Sequence, residues 1–144
     1  MPAQLNASAD LLVFTLRINA QIEKVLGKRA QRTGGVIALD KPRQRSLMLA
    51  REIYHRFRND QYWATSAEWA RLKELFDWLH EQHRLNQGRT PKAQPAAWND
   101  DLMFASKPLP AGTFEALAGA FMRGELDDAE AVRIGPASPL VLPE

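Results

Sequence analysis

The stretch "DKPRQRSLMLAREIYHRFRND", Asp40 to Asp60, holds the residues best suited to chemistry. From Lys28 to Arg58 the chain carries nine Lys and Arg against two acids, Asp40 and Glu52. Guanidinium forks match phosphate oxygens bidentately, and neutralising phosphates releases condensed counterions. Arg43, Arg45, Arg51, His55, Arg56 and Arg58 therefore form a candidate phosphate-backbone surface. Lys28, Arg29 and Arg32 would approach it from the end of the preceding helix. Tyr62 and Trp63 follow directly and would stack on bases if exposed. The competing reading is a solvated helix face, partly neutralised by acids elsewhere in the chain.

Other chemistry finds less support. "HEQH" puts His80 and His83 at a spacing that can share a metal, with Asp77 one turn earlier, but there is no HExxH motif and no cysteine. No metal or other cofactor is expected. Arg51 and His55 invite comparison with the Arg–His pair of small helical ribonucleases, but "REIYH" leaves three residues between them, short of that family's spacing. Gly34–Gly35 lies in no phosphate-cradling pattern, and the pairs Asp100–Asp101 and Asp127–Asp128 look like helix-start acids. No nucleophile is matched with a base, so the expected protein is not an enzyme. A helix-turn-helix is disfavoured because the second helix of the pair alternates Glu74, Asp77 and Glu81 with its cations, a poor fit to the major groove.

The elements that must position the arginines follow from periodicity. "SADLLVFTLRINAQIEKVLGKRA" predicts a first helix capped by Ser8, with Leu11, Phe14, Ile18, Ile22 and Val25 on one face. Its start, "LLVFTLRI", also suits a strand. "TGG" at 33–35 ends this element, and "VIALD" is a short connector. Asp40 caps a second helix with Pro42 in its first turn. Its core stripe is Leu47, Ala50, Tyr54 and Phe57, with Ile53 beside it, which turns Arg51, His55 and Arg58 to solvent, flanked by Arg45 and Arg56. Thr65 and Glu68 form a capping box for a third helix, Ser66 to Asn86, with Trp69, Leu72, Phe76, Leu79 and His83 on one face. Leu47, Tyr54, Phe57, Trp69, Leu72, Phe76 and Leu79 should share one core. "NQGRTPKAQPAAWNDD" is a linker, with "LMF" after it expected to tuck along its own domain. Thr113 can cap a short helix through "FEALAGAFMRG", carrying Phe114, Leu117 and Phe121. Asp127 and Glu130 should start a last one, before a proline-broken tail.

The fold class expected is mostly α, a small bundle of three main helices with one or two short C-terminal helices and extended connectors. Residues 1–87 form the basic core, 88–112 a linker with a short apolar segment, and 113–144 short helices and a tail packing on the core. The net charge of +2 hides an asymmetry: Met1 to Lys92 carries +7 and Ala93 to Glu144 carries −5. The apolar run at Leu11 to Leu16 is far too short to span a bilayer, no basic leader precedes it, and a cytoplasmic protein is expected. Together these features point to a non-enzymatic accessory protein that binds nucleic-acid backbone, DNA or RNA without sequence preference, within a larger assembly that includes a protein partner. A helical protein–protein adaptor is the alternative, and a small helical nuclease the third.

Overall fold

Ser8 turns the extended N-terminal segment into the first helix. The computed structural model describes residues 3–27, 40–86, 88 and 100–126. The elements in chain order are β1 (Leu5–Asn6), α1 (Ala9–Ile22) with a π-helical turn (Glu23–Gly27), α2 (Lys41–Arg58), β2 (Trp63–Ala64), α3 (Ser66–Asn86), a 3-10 turn (Asp100–Met103) and α4 (Thr113–Met122). The fold is mostly α, with a single two-stranded sheet among the described residues. Lys28, Arg29, Arg32, the connector before Asp40, most of the linker, the helix placed at Asp127 and the tail lie outside the described residues.

The Ser8 hydroxyl accepts from the Leu11 N–H at 3.3 Å and donates to the Leu102 carbonyl at 2.6 Å. The helix it starts, α1, is the core of the molecule: Leu11, Leu12, Val13, Phe14, Thr15, Leu16 and Ile18 are all buried. A helix apolar on nearly every side must be surrounded, and α1 packs against α2, α3 and α4. The β-branched run at its start is helical because burial on all sides satisfies it. Thr15 loses no hydrogen bond there, since its hydroxyl donates to the Leu11 carbonyl at 3.0 Å.

The short sheet ties the chain's early and late parts together. Leu5 and Asn6 pair antiparallel with Ala64 and Trp63, and Ala7 N–H donates to the Tyr62 carbonyl. On the other edge, Ser8 N–H donates to the Met103 carbonyl and Ala105 N–H to the Asn6 carbonyl. Met103 is buried and Leu102 and Phe104 pack on the core, so "LMF" docks in cis.

Two expectations change. Phe57, Trp69, Leu72, Phe76 and Leu79 are buried together, but Leu47 and Tyr54 sit half-buried at the rim. Thr113 does not cap α4. It is the first helical residue, its hydroxyl donates back to the Pro110 carbonyl at 2.6 Å, and the cap position is Gly112 at φ 86°, a conformation that suits glycine. The cap comes from the turn after α2. Asp60, at φ 61°, accepts from Gly112 N–H at 2.9 Å, and the Tyr62 hydroxyl accepts from Phe114 N–H at 3.0 Å while donating to Asp60 at 2.7 Å.

Candidate nucleic-acid interface

Helix α2 owes its start to Asp40, whose carboxylate accepts from the Arg43 N–H at 2.9 Å, and to Pro42 in the first turn. It buries Ser46, Ala50, Ile53 and Phe57 toward the bundle. That orientation leaves Lys41, Gln44, Arg45, Met48, Arg51, Glu52, His55 and Arg58 exposed. Arg51, His55 and Arg58 follow one another at four- and three-residue steps, and at about 1.5 Å per residue they span roughly 10 Å of helix. Arg45 extends the line to roughly 20 Å by the same rise. Arg45, Arg51 and Arg58 form no ion pair among the described residues. The His55 ring meets Tyr54 edge-on.

Two arginines assigned to this surface are held elsewhere. Arg56 corrects the sequence reading most sharply: its side chain is only 7 % exposed. Its two terminal nitrogens each donate to a different oxygen of Glu68, at 3.1 Å and 3.1 Å, a bidentate fork. One of them also donates to the Trp63 carbonyl at 3.2 Å, the other to Glu52 at 3.4 Å. The guanidinium lies over the Trp63 ring, 3.7 Å from its centroid. Arg43 is half-buried, paired with Asp40 at 2.6 Å and placed over the Trp78 ring at 5.0 Å. Both therefore serve the fold, Arg56 through a nearly dry contact and Arg43 at the helix start.

Glu68 is bound from two sides. Burial raises its affinity for a proton, but the Arg56 guanidinium and the Thr65 N–H outweigh that and hold its carboxyl below the ordinary value. The Thr65 N–H donates to Glu68 at 2.9 Å, and Glu68 N–H donates to the Thr65 hydroxyl at 3.1 Å. This is the capping box expected from the spacing, with Arg56 added as a third partner.

The aromatics read as stacking platforms are also consumed. Tyr62 is buried and its hydroxyl holds the start of α4, while Trp63 lies under Arg56. The surface that remains is cationic, with Met48 at its centre, 71 % exposed. Lys41 and Met48 belong to this face and were not singled out from the sequence, although the helical period that exposes Arg45 exposes both.

Elsewhere, Asp100 accepts from the Trp69 indole N–H and from Lys73, both at 3.0 Å, which lowers its carboxyl below the ordinary range. His80 stacks on Phe76. Among the described residues no group of three or more His, Asp or Glu side chains is arranged to hold a metal. No described helix is long and apolar enough to cross a membrane. No family model matches the chain, and no curated protein or solved structure matches it either.

Proposed function

We propose that this protein is a non-enzymatic accessory protein that binds nucleic-acid backbone through the exposed face of α2, as a cytoplasmic subunit of a larger nucleoprotein assembly. One observation carries the reading: Arg45, Arg51 and Arg58 are exposed along one helix and unpaired among the described residues, whereas Arg43, Arg56 and Lys73 meet acids. Glu52, the acid among them, leans toward Arg56 at 3.4 Å. Such a face neutralises phosphates without reading bases, because backbone contacts carry no sequence information. The interface is Arg45, Arg51, His55 and Arg58, joined by Lys41.

The test is binding of fluorescent oligonucleotides of unrelated sequence by wild type and by the Arg45→Glu, Arg51→Glu, Arg58→Glu triple variant. Wild type should bind all sequences about equally and lose affinity as salt rises, while the triple variant should bind none. Absence of wild-type binding at low salt would remove the reading. It would promote a second one, favoured by exposed Met48 within the cationic face: an adaptor that docks an acidic protein surface there.

A further inference from the structure

Resting on the nucleic-acid reading of α2, we infer that the ligand is double-stranded, held by charge along its backbone, and that single strands are the poorer substrate. The argument turns on where the aromatic side chains are. Proteins that hold single strands without sequence preference combine a basic track with aromatic faces on which bases stack, each stacked base contributing about 1–3 kcal/mol. This chain has four Trp, two Tyr and six Phe. All but Trp98 are among the described residues, and every one of those is buried or half-buried.

The aromatics nearest the cationic row are already occupied. Trp63 is covered by the Arg56 guanidinium, Tyr62 is buried, and Tyr54 packs edge-on against Phe114 at 5.4 Å. Trp78, farther along, faces Arg43. Among the described residues the large apolar side chains that are exposed are Met48, Leu85 and Met122, none of which offers a π-face. The row also lies on a regular helix, so its charges keep a fixed axial spacing. A duplex presents one phosphate charge per about 1.7 Å of axis, twice the density of either strand. Among the described residues this interface offers charge and one small exposed ring, the His55 imidazole, so it gains most from that density and has little to offer unstacked bases.

The test uses the full chain, a 20-base-pair duplex of arbitrary sequence and each of its strands alone, compared by fluorescence anisotropy at about 50 and about 200 mM salt, where the backbone contribution is strongly salt-dependent. The duplex should bind about tenfold more tightly than either strand, which meets few stacking faces among the described residues. If three arginines each neutralise one phosphate, the logarithmic salt slope should be about −2.7, a roughly 40-fold loss of duplex affinity over that range. Trp98→Ala should leave duplex affinity unchanged. Strands bound within about threefold of the duplex, or a duplex affinity that depends on Trp98, would overturn this inference and leave backbone binding by α2 standing. Failure of both ligands to bind at the lower salt would overturn backbone binding itself and this inference with it.

Discussion

Arg56 and Arg58 are two residues apart on the same helix and have opposite surroundings. Arg58 is exposed and unpaired among the described residues; Arg56 is buried against Glu68 and Trp63. A step of two residues is about 200° of helical rotation, enough to carry a side chain from solvent to the neighbouring helix. What the difference teaches is that arginine content does not measure a binding surface. The same guanidinium fork that would grip a phosphate grips a carboxylate when the fold supplies one.

The largest effect expected on this contrast is from Arg56→Ala. It leaves the Glu68 carboxylate, 18 % exposed, without its bidentate partner and uncovers Trp63. Breaking a buried pair in this way costs about 3–5 kcal/mol, read as a lower urea midpoint. Arg56→Lys should recover only part of the loss, because an ammonium cannot bridge both oxygens while lying flat on the indole. A midpoint unchanged by Arg56→Ala would place Arg56 with Arg58 and erase the distinction.

Glu68 sharpens the comparison through pH. Its folded carboxyl sits below the ordinary 4.5. The native state therefore holds its proton less tightly than the unfolded chain does. The resulting stabilisation is full above the ordinary value and is lost as pH falls through the lowered one. Glu68→Gln should lower stability at neutral pH and flatten the acid limb of a pH–stability curve. An acid limb of unchanged steepness would mean that other carboxylates, such as Asp60 and Asp100, carry it.

A smaller loss should follow Tyr62→Phe, which removes a hydroxyl that both donates to Asp60 and accepts from Phe114 N–H. About 1–3 kcal/mol is expected from leaving a buried N–H unpaired. Amide exchange should rise at Phe114 while α3 remains protected. The smallest effect on stability belongs to Arg51→Glu with Arg58→Glu, about 0.5 kcal/mol or less at each exposed site. A large destabilisation would show that these arginines are structural after all.

The local rules were legible in the sequence and the cross-chain ones were not. Ser8, Asp40 and the Thr65–Glu68 box act where their spacing places them, because a helix start is decided within four residues. On the α3 stripe Trp69, Leu72, Phe76 and Leu79 are likewise buried, while His83 is half-buried at its end. Arg56 could have been assigned inward from periodicity alone, since it lies three residues after Ile53 and seven after Leu49, both of which pack in or on the core. Its decisive partner, Glu68, is twelve residues away across a turn, and no helical period links the two. The start of α4 is held by Asp60 and Tyr62 from 52 residues away. Thr113 was therefore the natural candidate for the cap, and only the approach of the preceding turn displaces it.

The burial of α1 by elements that all follow it has a consequence for synthesis. Leu11 to Leu16 leave the ribosome before α2, α3 and α4 exist to cover them. Close to a hundred residues separate this segment from Phe114, so at about 5–20 residues per second it waits roughly 5–20 s for its last neighbour. During that interval this central helix, with seven residues destined for burial, is a hydrophobic nascent segment, the kind of surface that holdase chaperones shield. Cells short of such chaperones should accumulate this chain as aggregate even though the finished protein, once closed, keeps that helix dry.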